Sequence, residues 1–399
     1  MTTPQPLEDI LLLDLTTIVS GGTTTSVLAD FGARVIKIEN PRGGDPLRAW
    51  KPVKNGVSLW WKVLARNKQS VTLNLHNARG QDLLKRLVAR ADVLVENFRP
   101  GTLERWNLGY ETLSGVNPKL IMVRISGFGQ TGPYRDRPGF GTVAEAMSGY
   151  VALSGFADGP PVLPPIPLAD EVAGLVGALA ALMALHHRDR ADGRGQMIDI
   201  ALYEPLFRLL IPYVPQYALL DEIQERAGNR FAGAAPRNLY RSGDGEWVAI
   251  SATTQRTFER LAQTTGRSDL LSDVRFADNS SRVAHVEDLD AIIQDWMGAR
   301  PLDEILRTLE EAEAVVGPVY HTPRILSDPQ FRARGNIVVV QDAELGAIPM
   351  PGIVPRFSRT PGQIRHAGPR LGEHNETVYG ELLNLSPDDL GRLAQEGVI

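Results

Sequence analysis

Short, unbroken apolar blocks alternate with longer amphipathic stretches from Ile10 to Ser126. The blocks are ILLLDL at Ile10 to Leu15, VIKIE at Val35 to Glu39, Val71 to Leu75, Val93 to Glu96, and LIMVRIS at Leu120 to Ser126. Apolar runs without polar alternation are the pattern of strands buried on both faces, as in parallel sheets. The stretches between them predict helices at Thr23 to Phe31, Leu59 to Leu64, Arg79 to Arg90, Leu103 to Trp106 and Tyr110 to Val116. Strand and helix in turn, joined by short connections, predict an α/β fold with an open, doubly wound, Rossmann-like sheet.

The pattern changes between Asp158 and Asp199. Pro160 to Pro167 is an extended run, because proline lacks an N–H and biases its predecessor away from helix. A helix dense in Ala, Leu and Gly is predicted from Glu171 to Arg188, ended by the turn Asp192-Gly193-Arg194-Gly195, with a sixth strand at Met197 to Ala201. Gly174, Gly177, Ala178, Ala181 and Ala184 suit close backbone packing, so this helix is expected to be buried. Asp170 stands at its start and admits two readings. Asp is a favoured N-cap residue, worth ~1 kcal/mol. A carboxylate on the rigid end of a buried helix is also a candidate reactive group.

Beyond Ala201 the pattern predicts a helix from Tyr203 to Leu220, a linker at Arg226 to Pro236, and a hairpin of Leu239 to Arg241 with Trp247 to Ala252. Helices follow at Gln255 to Thr264, Val286 to Ala299 and Leu302 to Ala312, so residues 226–327 read as a smaller domain. Ile337 to Gln341 and Ile348 to Pro355 are extended. Ser386-Pro387-Asp388-Asp389 has the capping-box pattern that opens a last helix.

Composition narrows the chemistry. The 399 residues, 43% hydrophobic, can build more than one core. A net charge of -5 offers no basic field for nucleic acid or anionic membrane. Absence of cysteine removes thiol nucleophiles, iron–sulfur clusters and Cys-ligated zinc. The seven histidines form no HExxH, and the His186-His187 pair diverges on a helix, so no metal site is expected. No signal peptide is read at the N-terminus, and the apolar stretch Val172 to Leu185 is too short to span a bilayer; a cytoplasmic protein is expected.

Gly127, Gly129 and Gly132 spell GxGxxG after a strand. The dinucleotide fingerprint needs a helix next, and Pro133 to Pro138 cannot supply one, so these glycines are read as an irregular loop. There is no GxSxG elbow and no P-loop. Carboxylate-based covalent chemistry or plain acid/base work stays open.

The segments ILLLDLTTIVSGG, ADFGARVIKIENPRGGDPLR, VENFRPG, RISGFGQTGP, RPGFGTVAEAMSG, LADEVAGLVGALAALMALHHRDRADGRGQ and GPVYHTPRILSDPQF occur in that order. On these the chain resembles the class III CoA-transferases, the CaiB/BaiF or formyl-CoA transferase family, over nearly its whole length. The resemblance implies an interlocked homodimer. Each subunit would have a large CoA-binding domain (residues 1–225), the small α+β domain (226–327) and a C-terminal segment returning to the large one (328–399). It implies transfer of coenzyme A from an acyl-CoA to a free carboxylic acid, with CoA as substrate and no prosthetic group.

The resemblance gives Asp170 the catalytic role, through aspartyl anhydride and aspartyl-CoA intermediates. It assigns Asn97, Phe98, Arg99 and Arg105 to the nucleotide and diphosphate of CoA. Leu73, Asn74, Leu75 and His76 fall near the adenine and Val19 and Ser20 near the thiol; Phe140, where relatives carry Tyr or His, is also counted among the CoA-binding residues. Trp50 is a candidate wall of the acyl pocket. Formyl-CoA transferases carry Gln at the place of Val19, which argues against a formyl substrate. The alternative on this fold is an acyl-CoA racemase or isomerase. That branch uses His at the place of Phe140, and Phe cannot exchange a proton. Gly141 stands where many members carry Asp or Glu. Ala232-Gly233-Ala234 is a short remnant of the loop that covers the formyl-CoA transferase site. Small dicarboxylates such as succinate, frequent among relatives, would suit an Arg-lined pocket.

Overall fold

The computed structural model describes residues 4–399. The chain divides into two compact units; the first takes the chain up to Tyr150 with Leu163–Leu219 and Arg332–Ile399, the second takes Val151–Val162 with Leu220–Phe331.

The first unit is built on six strands: β1 (Leu11–Asp14), β2 (Arg34–Glu39), β3 (Lys68–Thr72), β4 (Val93–Glu96), β5 (Ile121–Ser126) and β6 (Met197–Ala201). They lie in the order β3-β2-β1-β4-β5-β6 and every pairing is parallel. The principal helices are α1 (Ser20–Asp30), α2 (Ala78–Val88), α3 (Gly141–Met147) and α4 (Leu168–Arg190). Successive side chains of a strand point to opposite faces. Leu12, Val35, Val93, Val95, Ile121 and Val123 therefore pack with α1 and α4. Leu13, Ile36, Leu94 and Met122 pack with α2 and the C-terminal helix Asn375–Leu383. Both faces being covered explains why the strands read as unbroken apolar runs.

Several elements differ from the sequence reading, each for a local reason. The first helix starts at Ser20 and takes in Gly21 and Gly22. Gly21 is there because a Cβ would stand 2.1 Å from Thr16 Cγ2, a close approach rather than a turn. The third strand is Lys68–Thr72 instead of Val71 to Leu75, because its register against β2 begins with Val35 opposite Lys68. The stretch Tyr203 to Leu220 splits into helices Tyr203–Leu209 and Tyr213–Leu220 on either side of Pro212. Gly129 and Gly132 adopt φ of +82° and +84°, and no helix follows them before Gly141.

The helix α4 extends beyond the apolar stretch that predicted it. Among the described residues it is the one helix long and apolar enough to cross a membrane. Its Ala173, Ala178, Ala181 and Ala184 are buried in the core with α1, whereas Leu175, Leu179, Leu182 and Met183 are exposed.

The second unit carries a three-stranded antiparallel sheet in the order Val316–Pro318, Trp247–Ser251, Arg237–Arg241. Helices Gln255–Thr264, Val286–Gly298 and Leu302–Glu311 close its core around Tyr240, Val248, Phe258, Ile293 and Ile305.

Candidate active site

The strand order reverses between β1 and β4. In open α/β sheets the crevice at such a point, outside the carboxyl ends of the strands, is where ligands bind. The loops leaving the two strands are tied together there: Thr17 N–H donates to Asn97 Oδ1 at 2.9 Å and Asn97 Nδ2 donates to the Thr17 carbonyl at 2.8 Å. The next residue, Ile18, has φ of +65°, an unfavourable conformation for a β-branched side chain. Asp45 holds it, accepting the Ile18 N–H at 3.0 Å.

Under this loop lies a set of buried charges. Lys37 pairs with Asp45 at 3.0 Å and Asp14 at 3.3 Å, Lys68 pairs with Asp14 at 3.1 Å, and Lys37 Nζ also donates to the Thr16 carbonyl. Burial alone would raise the Asp14 carboxyl, but the two ammonium groups and the Thr16 and Thr25 hydroxyls hold it well below the carboxylate range. Burial would likewise lower Lys37, and its three acidic neighbours, Asp14, Asp45 and Glu39, push it up instead. Lys68 is instead pushed down, burial outweighing the pull of Asp14; Asp14, Lys37 and Asp45 clamp Thr16 to Ile18 in place.

Asp170 is the third residue of α4, not its cap; the cap position is Pro167, which makes no side-chain bond. The carboxyl instead lies near the Ser20 hydroxyl, which favours its ionised form. The two come together because α1 and α4 pack at backbone distance. A Cβ on Gly174 would meet the Ser20 carbonyl at 2.5 Å, one on Gly177 would meet Thr24 Oγ1 at 2.5 Å, and Thr24 Oγ1 donates to the Gly174 carbonyl at 2.9 Å. The small-residue stripe therefore carries the start of α4 onto the start of α1.

Burial, then the charges of Glu145 and Glu171, push Asp170 up to about 6, against the opposing influence of the Ser20 hydroxyl. Glu145 is buried and accepts the Ala169 N–H at 3.3 Å; Glu171 accepts from Thr23 Oγ1 at 2.9 Å. Asp170 opens on a cavity of about 460 Å³ lined by the loop after β1, the end of β5, the start of α3 and the Pro-rich run Leu163 to Pro167. Its lining includes Ser20, Trp50, Asn97, Ser126, Phe140, Gly141 and Glu145. No Lys, Arg or His contributes to that lining, so the Arg-lined pocket expected for small dicarboxylates is not found in this cavity.

A second cavity of about 260 Å³ adjoins it, with Thr17 in the wall of both. Leu73, Leu75, His76, Phe98 and Trp106 line it, and the His76 ring meets Trp106 edge-on at 4.7 Å. Asn74 lies beside it with its N–H on the Val398 carbonyl. Arg99 and Arg105 are exposed on the same segment, Arg105 donating to Thr102 Oγ1 at 3.0 Å. Val19 is buried and lines neither cavity. Phe140 is 70% exposed. The structure thus brings Asp170, Ser20, Asn97 and Phe140 into one cavity, and Leu73, Leu75, His76 and Phe98 into the next. Thr17, Ser126, Thr142 and Glu145 also line the Asp170 cavity, and none of them was singled out from the sequence as a site residue. Ser126 Oγ is buried without a hydrogen-bond partner, which no pattern of residue types reveals.

A parallel, doubly wound sheet with a half-buried carboxyl in a cleft beside its switch point defines the class: an α/β protein with a ligand-sized cavity at the carboxyl ends of its strands. The model of CoA-transferase family III matches residues 7–375, and the chain belongs to that family. It is 46% identical to succinyl-CoA–D-citramalate CoA-transferase of Chloroflexus aurantiacus, over 99% of this chain and 98% of that protein. It is 30% identical to the human succinyl-CoA:glutarate CoA-transferase, over 100% of this chain and 91% of that one. A CaiB/BaiF family protein from Brucella suis superposes with a TM-score of 0.85 at 33% identity, covering 95% of this chain and 100% of the other. The protein is a CoA-transferase.

Proposed function

We propose that this enzyme moves CoA from an acyl-CoA thioester to a free carboxylic acid through covalent intermediates on Asp170. The observation that carries the reading is the Asp170 carboxyl, beside Ser20 at the edge of a roomy cavity and raised by burial to about 6. At neutral pH it is still ionised, and having shed water it is a better nucleophile than an exposed carboxylate.

A carboxylate oxygen attacks the thioester carbonyl; the C–S bond breaks, giving a mixed anhydride and CoA thiolate. The thiolate attacks Asp170 Cγ and releases the first acid, leaving an aspartyl-CoA thioester. The incoming carboxylate attacks that carbon and displaces the thiolate, forming a second anhydride. The thiolate then attacks the new acyl carbon and frees Asp170. No proton is gained or lost, and every bond exchanged is an activated acyl bond. Leu73, Leu75, His76 and Phe98 would hold the adenine end, Arg99 and Arg105 the diphosphate, and Val19 and Ser20 the loop near the thiol. Succinyl-CoA is the first donor to try, because relatives are named for it. We also propose an interlocked cytoplasmic homodimer, supported by the exposed apolar strip of α4.

The test is Asp170→Asn and Asp170→Ala, assayed with a panel of acyl-CoA donors and acid acceptors. Transfer should be lost by more than ~1000-fold in both, the scale seen when a covalent nucleophile is removed. Transfer retained by either variant refutes the mechanism.

A further inference from the structure

Two glutamates bracket the segment read as holding the nucleotide end of CoA. Glu96 closes β4 just before Asn97, and Glu104 lies in the short helix Thr102–Arg105 beside Arg105. Both reach the same side chain. Arg124 stands directly opposite Glu96 in the parallel pairing of β4 with β5. Its Nε donates to Glu96 Oε1 at 2.6 Å, and its Nη1 donates to Glu104 Oε1 at 2.7 Å. Its Nη2 donates to Glu104 Oε2 at 3.3 Å. The second oxygen of Glu96 accepts the Phe98 N–H at 2.7 Å. Glu96 and Arg124 are buried, while Glu104 is partly exposed. A planar guanidinium meets two carboxylates in fixed directions, which an ammonium group does not.

We propose that Arg124 is a positioning residue for CoA: it clasps Glu96 and Glu104 and so holds the backbone between them in the CoA-binding conformation before CoA arrives. The proposal rests on the reading of Asn97 to Arg105 as a CoA-binding segment. Stability does not account for the clasp. The same face of the sheet is otherwise filled by Leu94, Met122 and Leu103, and buried ion networks are no more stabilising than apolar side chains of similar volume. Direction does account for it. The chain turns as it leaves β4, and the clasp fixes both ends of the turn. Phe98, in the wall of the second cavity, and Arg105, next to Glu104, are set by it. Leu103 is fully buried and fastens the segment to the core by itself, so opening the clasp loosens the loop without unfolding the domain. Charge alone predicts the opposite for Glu104. It is a carboxylate near a ligand that carries phosphates, so its removal should tighten CoA binding if it has no other role.

Glu104→Ala opens the exposed arm of the clasp and leaves the buried Glu96–Arg124 pair intact. Arg124→Lys keeps the charge and loses the fork. CoA affinity, steady-state rates, melting temperature and hydrogen exchange with and without CoA are measured for the parent and both variants. In both variants the Kd for CoA and the KM for succinyl-CoA should rise about tenfold, the effect of a loop that is competent about a tenth of the time. The kcat at saturation should stay within about threefold of the parent, because an interaction made equally in ground and transition states moves KM alone. Exchange of free enzyme should quicken within residues 97–105, and Glu104→Ala should melt close to the parent. If Glu104→Ala binds CoA as tightly as the parent, or more tightly, the positioning role falls while the CoA-binding reading of the segment stands. If Arg124→Lys loses stability and exchanges faster throughout the first unit while Glu104→Ala is unaffected, Arg124 is structural and the proposal fails. A parent in which CoA gives no protection at residues 97–105 removes the CoA-binding reading of the segment, and this inference with it, without touching Asp170.

Discussion

At the residue scale the site turns on one carboxyl whose surroundings favour its neutral form. Burial leads, and the neighbouring Glu145 and Glu171 add to it. In the unfolded chain Asp170 releases its proton near its usual value of 3.8, while in the fold it keeps it to about 6. Stability attached to this group is therefore full below pH ~4, declines between ~4 and ~6, and stays lost above, by on the order of 1–3 kcal/mol. Asp170→Asn removes that titration. It should be more stable than the parent at pH 8 by about that amount, with the difference vanishing toward pH 4, as read by urea unfolding across the range. The parent's kcat/KM should fall about tenfold per pH unit below ~6, because only the ionised carboxylate attacks. A parent without that acid limb would contradict the desolvated carboxyl.

At the element scale the site depends on how closely α1 and α4 approach. Gly174 sits where a Cβ would stand 2.5 Å from the Ser20 carbonyl and 2.6 Å from Thr23 Cβ. Both contacts lie on α1 itself, so the helices must separate to admit a methyl group. Gly174→Ala should cost about 1–3 kcal/mol by overpacking. It should also lower kcat, because Ser20 would be carried away from Asp170. Denaturant titration set beside kcat for this variant reads both effects. A Gly174→Ala enzyme with unchanged stability would mean that α1 and α4 are looser than the packing indicates.

At the scale of the whole molecule, Leu175, Leu179, Leu182 and Met183 leave an apolar strip exposed on the longest helix, with Leu219, Leu220 and Ile223 exposed further along the chain. Contiguous exposed apolar surface marks an interaction site. Sedimentation should give twice the 43.6 kDa chain mass. Leu179→Asp, which leaves the buried face of α4 untouched, should shift the protein toward monomer. A monomeric parent at micromolar concentration would dismiss the interlocked dimer.

The local pattern by itself determined the sheet. Val93–Glu96, buried throughout, and Met197–Ala201, buried at its end, were both legible to the residue from their apolar runs. The capping box at Ser386 was legible too, because its two hydrogen bonds lie within a single turn. The order and wording of segments such as VENFRPG and GRGQ were enough for the family. Where a backbone pairing or a close approach sets an element's limits, the pattern slipped. Lys68 belongs to a strand because β2 pairs with it, and Gly21 belongs to a helix because Thr16 crowds it. The site required the fold. Ser20, Gly141, Glu145 and Asp170 are far apart in sequence, and each has a bland local reading. The twist of the sheet and the backbone-distance contact of two small-residue helices place them around one cavity. Burial in that cavity is a property of the assembled molecule, and it moves Asp170 from an ordinary carboxylate to a group poised near neutrality.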